Sequence, residues 1–315
     1  MSELEQHVLT GLSANQKYLP SSFFYDEEGS AIYQKITSCE DYYLIRSEIE
    51  ALENNKKNIV ESFNVGEESF DLVDLGAGDA MKTSILIHEC LAQSQNMTYV
   101  PVDISPKFIK DAQTRFKDIR LPIKPLIGNY FDIIPTLGKK TRKVICFLGS
   151  NIGNFKNHEE DHFLTEVRKI MHPKDILLLG CDLIKDPKVI LQAYNDREGH
   201  TKRFNLNMLE RINRDLGGNI NKDNFIHYPI FDPLEPGAKS FLVSTKDQIV
   251  ELKKYNKTIN FHKWEHIHTE TSRKYSVKSL DHLAERTGLK IKDHFFCTQK
   301  GYVVASLMRA VDDSI

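Results

Sequence analysis

The sequence predicts an α/β protein built around a parallel, doubly wound sheet. Short apolar segments alternate with helical segments through the middle of the chain, and a glycine turn follows the first predicted strand. Such alternation with short connections is typical of parallel strands joined by helices. The length of 315 residues is enough for one large domain or two moderate ones.

The predicted strands and helices of this sheet follow one another in a regular order. Each strand is a short apolar run that ends in small or polar residues, which favour turns. The strands are expected at 70–75, 97–103, 123–127, 143–148 and 175–182, and the intervening helices at 81–93, 105–116 and 158–171.

The C-terminal segment departs from this alternation. A helix at 279–287 stops at Gly288, and two strand-like runs, 290–297 and 302–308, are separated by a short connection that ends in Gly301. That spacing predicts a β-hairpin. A sheet that ends in a hairpin is expected of Rossmann-like methyltransferases rather than of nicotinamide dehydrogenases.

Two other regions fit the sheet pattern poorly. Residues 1–45 and 185–273 are rich in Tyr, Asn, His and charged side chains, and their helices are more polar. We expect these two regions to form a second, smaller α+β domain that binds the substrate. Residues 46–184 and 274–315 would then form the cofactor-binding domain.

Composition narrows the possible classes of function. A net charge of −2 argues against a protein that coats nucleic acid. No apolar run approaches the ~20 residues of a membrane span, and the N-terminal segment lacks the basic and apolar regions of a signal peptide. The five cysteines are far apart and form no CxxC pair, which indicates reduced thiols. We expect a cytoplasmic protein with no nucleic-acid or membrane partner, and nothing requires more than a monomer.

The turn after the first predicted strand has features of a nucleoside-binding loop. Gly76 and Gly78 let the backbone approach a ligand closely, and the next helix begins with unpaired N–H groups. The third glycine of GxGxxG is missing, which weakens a dinucleotide interpretation. Asp103 ends the second strand, where a carboxylate can accept hydrogen bonds from a ribose. This set favours S-adenosylmethionine (SAM); a simple tight turn and a helix cap are the alternative.

Three further residues follow predicted strands at the same edge of the sheet. Lys82 begins the next helix and would reach the carboxylate of SAM, or else be a solvated helix lysine. Asn129 and Tyr130 follow the third strand. There, an amide can pair with the edge of adenine and a phenol ring can pack on its face.

The segment 158–162, HEEDH, matches the H-E-x-x-H pattern of zinc proteases. At about 100° per residue, His158 and His162 project away from the apolar stripe of the helix that this segment opens. A protease would bury both histidines in a cleft and add a third ligand. We therefore expect an acidic first turn of a surface helix and no metal.

The segment 147–155, FLGSNIGNF, ends a buried strand with two glycines and two asparagines. Glycines expose peptide groups, and an amide side chain can donate to a carboxylate while it accepts from an amine. The pattern suits a loop that holds a small polar ligand. It equally suits a glycine-rich turn capped by asparagine.

Several of these motifs together resemble one family. The order and spacing agree over nearly the whole chain for FFYDEEGSAIYQKIT, DLGAGDAMKT, YVPVDIS, FLGSNIGNF, LLLGCDLIKD and TETSRKYS. They resemble the L-histidine Nα-methyltransferases of ergothioneine biosynthesis, which form hercynine (Nα-trimethylhistidine). The broader family includes dimethylallyltryptophan N-methyltransferases. The resemblance implies SAM-dependent methylation of the α-amine of a free amino acid, with histidine favoured.

The resemblance also implies which residues bind the substrate. Asn154 and Tyr194 would bind the carboxylate of the amino acid, and backbone groups near Gly149 would lie beside the reacting nitrogen. Tyr25 and Tyr42 would border the amine and the imidazole.

In the same family, a carboxylate and a hydroxyl grip the imidazole, and here they would be Glu270 and Ser272. The chain departs from the pattern at three positions. Ser240 stands where histidine-specific members carry a methionine, Asn129 where an aspartate is usual, and Asn151 where a threonine is common. Because Ser240 leaves the exact substrate open, another amino acid or amine, for example a tryptophan-like one, is an alternative acceptor. A catalytically silent SAM-binding protein is a second alternative.

Overall fold

The structure is a computed structural model that describes residues 3–155 and 159–310. The fold divides into two compact units. Unit 1 contains the residues up to Tyr43 together with Lys185–Arg273, and unit 2 contains Leu44–Ile184 together with the residues from Lys274 onward. The first boundary therefore follows residue 43, where the sequence analysis places it after residue 45.

The described residues form ten α-helices and thirteen strands, numbered in chain order. The helices are α1 (Glu3–Ser13), α2 (Glu27–Ser38), α3 (Tyr43–Ser62), α4 (Thr83–Ala92), α5 (Pro106–Arg115), α6 (Tyr130–Ile133), α7 (Glu159–Ile170), α8 (Pro187–Ala193), α9 (His200–Leu216) and α10 (Val277–Arg286). The strands are β1 (Lys17–Tyr18), β2 (Phe70–Leu75), β3 (Met97–Asp103), β4 (Leu126–Ile127), β5 (Arg142–Phe147), β6 (Ile176–Asp182), β7 (Phe225–Asp232), β8 (Gly237–Ser244), β9 (Gln248–Leu252), β10 (Lys257–Phe261), β11 (His266–Arg273), β12 (Leu289–Phe296) and β13 (Tyr302–Arg309).

Unit 2 is built on a seven-stranded sheet in the order β12-β13-β6-β5-β2-β3-β4. The five strands from β6 to β4 run parallel, and β13 is antiparallel to both β6 and β12. The predicted doubly wound sheet and its C-terminal hairpin are thereby confirmed. Strands β3 and β4 lie on one side of β2, and the later strands β5 and β6 lie on its other side, so the strand order changes direction between β2 and β5. In sheets of this kind, ligands bind at the carboxyl ends of the strands beside such a point.

The central strands of unit 2 are apolar on both faces because helices cover both faces. On one face, α7 and α10 contribute Phe163, Leu164 and Leu283 to the core. On the other, α3 and α4 contribute Leu52 and Leu86. Burial on both sides explains the continuous apolar runs in β5 and β6, where a one-sided sheet would show alternation.

The third predicted strand is shorter than expected. Only Leu126–Ile127 forms β4, and Ile123 makes a single isolated bridge to Tyr99. Pro122 and Pro125 explain the difference, because proline has no N–H to donate to a neighbouring strand.

Unit 1 combines helices with a four-stranded sheet in the order β1-β11-β8-β7 and a separate β9-β10 hairpin. Strands β7, β8 and β11 are antiparallel neighbours, and the short β1 runs parallel to β11. The apolar side of α9, with Phe204, Met208 and Ile212, packs into a core shared with Phe24 of a short 3-10 helix and Ile36 of α2. This unit therefore has a hydrophobic core of its own.

Two general properties bear on the sequence analysis. In the ranges that the structure describes, none of the helices has both the length and the apolar character needed to span a membrane. All five cysteines are free and buried.

Candidate active site

The glycine turn of unit 2 lies at the carboxyl end of β2. Gly76 and Gly78 have φ angles of +75° and +56°, in the left-handed region that favours glycine. A Cβ atom at Gly78 would meet nothing within 4 Å, so the space beside this turn is open. The turn can therefore accept a ligand close to its backbone.

Asp103 joins this turn to the end of β3. Its Oδ2 accepts a hydrogen bond from the Gly78 N–H at 2.9 Å, and its Oδ1 accepts one from the Ser105 N–H at 2.9 Å. Burial raises the pKa of Asp103, although these backbone donors oppose that rise. Each carboxylate oxygen can accept more than one hydrogen bond. The local backbone role and the binding of a ribose are thus compatible.

Asn129 and Tyr130 follow β4 at the same edge of the sheet. The Asn129 Oδ1 caps α6 by accepting from the Phe131 N–H at 3.0 Å, which uses one of its two lone pairs. The Tyr130 ring packs 5.6 Å, centroid to centroid, from the rings of Phe147 and Phe163. Burial raises the pKa of Tyr130 to about 12. Both residues therefore have structural partners as well as the location expected for adenine contacts.

Lys82 immediately precedes α4 and is not a solvated helix lysine. Its Nζ lies 3.1 Å from Oε2 of Glu48, a carboxylate whose side chain is only 1% exposed. Sequence analysis missed Glu48. The signal was available, since Glu48 lies on the same side of α3 as the buried Leu44 and Leu52.

The loop after β5 is tightly held. Gly149 and Ser150 have φ angles of +83° and +56°, and a 3-10 helix, Asn151–Asn154, follows. Ser150 Oγ accepts from the Asp182 N–H at 3.0 Å, which fixes the loop to the end of β6. A Cβ atom at Gly76 would be 3.4 Å from the Asn151 amide nitrogen, so this loop lies against the glycine turn.

In unit 1, Tyr25 lies in an aromatic cluster, and Tyr42 is a desolvated tyrosine. The Tyr25 side chain is 44% exposed, and its ring lies 5.3 Å from the Tyr33 ring and 5.5 Å from the Phe204 ring, edge-on in both cases. Desolvation raises the pKa of Tyr42 well above its usual value. The hydroxyl of Tyr42 therefore stays protonated at neutral pH.

The electrostatic neighbours of Tyr42 show which predicted residues lie near one another. Tyr33, Tyr194, Tyr25 and Glu270 each add to the rise of its pKa. The structure thus brings together four of the six substrate residues that the resemblance assigns to unit 1.

The other two of these six residues are Ser240 and Ser272, and both lie on strands. Ser240 of β8 is the cross-strand partner of Glu270, and its hydroxyl donates to Glu270 Oε2 at 3.4 Å. Ser272 is buried two residues further along β11. A break in the register between His268 and Glu270 places Glu270 opposite Ser240. Such bulges redirect side chains beside active sites, and no alternation pattern reveals them.

Tyr194 is held by two residues that the sequence analysis did not identify. The ring Nε2 of His227 donates to the Tyr194 carbonyl at 2.9 Å, and its Nδ1 accepts from the Asn205 amide at 2.8 Å. Because the carbonyl can only accept, this arrangement fixes the neutral tautomer. Burial lowers the pKa of His227. Asn205 left a signal in the sequence, since it lies among the buried residues of α9.

The described part of the H-E-x-x-H segment, residues 159–162, forms the first turn of α7. The His162 side chain is 64% exposed, whereas Phe163, Leu164 and Val167 are buried. His158 lies outside the described residues. Within the described ranges, no three His, Cys, Asp or Glu side chains are grouped so that they could hold a metal ion.

Comparison with known proteins identifies the family. Residues 4–310 match the family described as histidine-specific, SAM-dependent methyltransferases. The histidine N-alpha-methyltransferase of Mycobacterium tuberculosis is 30% identical over 279 residues, which cover 88% of this chain and 86% of that protein. The protein of the same name from Mycolicibacterium smegmatis is 28% identical over 289 residues, which cover 91% and 89%.

A fungal relative matches through part of a longer protein. Ergothioneine biosynthesis protein 1 of Neurospora crassa is 28% identical over 282 residues, which cover 87% of this chain but 31% of that protein. The family resemblance inferred from the motifs is confirmed. The chain belongs to the SAM-dependent, histidine-specific methyltransferase family and is a SAM-dependent methyltransferase.

Proposed function

We propose that this enzyme transfers methyl groups from SAM to the α-amine of free L-histidine and forms hercynine, as an enzyme of ergothioneine biosynthesis. The observation that carries the proposal is the position of Glu270 beside the tyrosine cluster of unit 1 and two residues before the buried Ser272. A carboxylate and nearby hydroxyls suit the two ring nitrogens of an imidazole. Ser272, buried on the same strand as Glu270, would supply the hydroxyl.

The residues of unit 2 fit SAM. Asp103 would bind the ribose hydroxyls, and Lys82 would bind the carboxylate of SAM. Asn129 and Tyr130 would contact adenine, and the open glycine turn leaves space for the nucleoside. Bound SAM supplies a methyl group activated on a sulfonium.

The protein must present a neutral amine in a fixed orientation, because only an unprotonated nitrogen can accept a methyl group. We propose that Asn154 and Tyr194 hold the substrate carboxylate, and that Tyr25 and Tyr42 border the amine. Since its raised pKa keeps Tyr42 protonated, its hydroxyl orients the amine through hydrogen bonds and the proton leaves to solvent. This orientation is the main contribution expected of the protein.

We infer three successive transfers to one nitrogen. After each of the first two, the amine can lose a proton and react again. After the third, the quaternary ammonium has no lone pair and the reaction stops. We also propose that the enzyme works as a monomer. We propose that it acts in the cytoplasm, a reducing compartment that suits its five free, buried cysteines.

A second candidate acts on another amino acid or amine. It is favoured by Ser240, which stands where the family resemblance expects a methionine. A smaller, polar side chain changes the size and chemistry of the wall beside Glu270.

The test is incubation of the purified protein with SAM and an equimolar mixture of free amino acids, followed by mass spectrometry. We expect mono-, di- and trimethylhistidine in succession, with trimethylhistidine as the final product and none without SAM. A different methylated amino acid would support the second candidate. Monomethylhistidine alone in excess SAM would contradict the three transfers. Intact SAM binding with no product would indicate a silent binder.

A further inference from the structure

Glu48 is a buried carboxylate without a role in the sequence analysis. It lies on α3 among buried apolar residues such as Leu44, Ala51 and Leu52. A carboxylate is seldom fully buried unless other groups replace its lost hydration. Its partners therefore indicate what it does.

The two oxygens of Glu48 contact three groups. Oε1 accepts from the Gly149 N–H at 2.7 Å and from the Tyr302 hydroxyl at 2.7 Å. Oε2 pairs with Lys82 Nζ at 3.1 Å. These partners come from the loop after β5, from β13 and from the residue before α4. One carboxylate thus joins three separate segments of unit 2 to α3.

Two glycines make room for this network. Gly180 lies inside the buried strand β6, where glycine weakens a strand. A Cβ atom there would be 2.4 Å from Glu48 Oε1 and 2.7 Å from the Tyr302 hydroxyl. A Cβ atom at Gly149 would be 2.7 Å from Lys82 Nζ. Any larger residue at either position would displace the groups around Glu48.

We propose that Glu48 is a positioning residue for methyl transfer. It fixes Gly149, in the loop that carries Asn154, and it fixes the ammonium of Lys82. This inference rests on the proposed function, in which Asn154 binds the acceptor and Lys82 binds SAM. Glu48 therefore aligns donor and acceptor contacts together, and a displacement of about 1 Å in such contacts can lower a rate roughly a hundredfold.

The informative variant is Glu48→Gln. Glutamine keeps the shape of the side chain, and its carbonyl oxygen can still accept from Gly149 and Tyr302. The variant removes the negative charge that holds Lys82. A structural effect alone would lower stability and leave the binding of SAM unchanged.

A matched control is Asp175→Asn at the opposite end of β5 and β6. Asp175 is also buried, accepts from the backbone N–H groups of Lys143 and His172 at 2.8 Å, and lies 3.6 Å from the Lys143 ammonium. Like Glu48, it accepts from the backbone and pairs with a lysine, and these partners lie away from the candidate active site.

The dissociation constant of SAM is measured by calorimetry without an acceptor, and kcat is measured with saturating substrates. We expect E48Q to raise the Kd of SAM about tenfold and to lower kcat about tenfold, and D175N to change both less than about twofold. Tyr302→Phe removes one donor to Glu48 and should lower kcat roughly threefold. This second variant tests the positioning role of Glu48 if E48Q does not fold.

The proposal would be overturned if E48Q had the Kd and kcat of the wild type. If E48Q does not fold, an unchanged kcat in Y302F would overturn it. Because the binding measurement needs no acceptor, an error in the proposed substrate does not affect it. If the wild-type enzyme binds SAM but methylates another amino acid, only the proposed substrate is wrong. The kcat values of the wild type and the variants are then measured with that amino acid as the acceptor.

Discussion

The hydroxyl of Ser240 donates to Oε2 of Glu270 at 3.4 Å across the antiparallel strands β8 and β11. Ser240 is only 1% exposed, so water does not readily replace this contact. The hydrogen bond limits the orientations of the carboxylate. The methionine that the family resemblance leads us to expect at this position would have no hydrogen to donate to Glu270.

Ser240→Ala should weaken the binding of the amino acid while kcat changes little. A buried hydrogen bond contributes about 1 kcal/mol, which corresponds to roughly a fivefold rise in KM. Steady-state kinetics with the preferred acceptor provide the measurement. Ser306→Ala is the control, because the buried hydroxyl of Ser306 has no hydrogen-bond partner among the described residues. An unchanged KM in S240A would show that Glu270 does not depend on Ser240.

Asp103→Asn should weaken the binding of SAM strongly. In the asparagine, an NH2 group replaces one carboxylate oxygen and faces the N–H of Gly78 or of Ser105. One of these two backbone donors therefore loses its acceptor. The unpaired donor lowers stability with or without SAM, whereas the Kd of SAM depends on the acceptor that the ribose hydroxyls lose. Loss of a hydrogen bond to a charged group costs about 1.5–3 kcal/mol, so we expect the Kd of SAM to rise roughly ten- to hundredfold. Calorimetry measures it, with the exposed Asp118→Asn as the control. An unchanged Kd would exclude Asp103 from the SAM site.

The sequence allowed accurate prediction of elements whose signals are local. The bounds of β2 and β3 agree with the predicted 70–75 and 97–103, because burial on both faces produces continuous apolar runs. The predicted range 123–127 was too long for β4, because proline interrupts the pairing before Leu126. The bulge that turns Glu270 toward Ser240 depends on contacts between strands, and period-two alternation carries no sign of it.

The supporting residues of the site were missed for a related reason. Glu48 and Asn205 lie on the buried sides of helices, so a polar residue in an apolar stripe marked both as unusual. Their partners, however, are distant in the chain, such as Gly149 for Glu48 and His227 for Asn205. Long-range partners follow from the tertiary fold and not from the local pattern.

The stability of the protein should depend on the protonation of Asp74. This carboxyl is buried, and burial raises its pKa from 3.8 to about 6 even though Tyr99 and Thr83 donate to it. The pKa of Asp74 is higher in the folded state than in the unfolded state. Between pH 3.8 and about 6, the folded protein therefore keeps a proton that the unfolded chain has lost. The stabilisation is complete below about pH 4 and disappears as the pH rises through 6.

Asp74→Asn isolates this effect, since asparagine does not titrate and other groups contribute equally to both proteins. From pH 4 to 7, the free energy of unfolding of the wild type should fall by roughly 3 kcal/mol relative to D74N. Urea denaturation at several pH values measures the difference. A difference that stays constant with pH would contradict the raised pKa.

Lys274→Met should destabilise unit 2 severely. Lys274 Nζ and Asp182 Oδ2 are 2.9 Å apart, and both side chains are completely buried. Removal of the lysine charge breaks a fully buried ion pair from one side, which costs about 3–5 kcal/mol. The matched control is Lys56→Met, because Lys56 pairs with Glu53 at 2.8 Å on the surface and exposed pairs contribute little to stability. In the double variant with Asp182→Asn, both charges of the pair are removed, so the free energy of unfolding in urea should exceed that of K274M alone. A double variant as unstable as the sum of the two single variants would show that the two charges do not depend on each other.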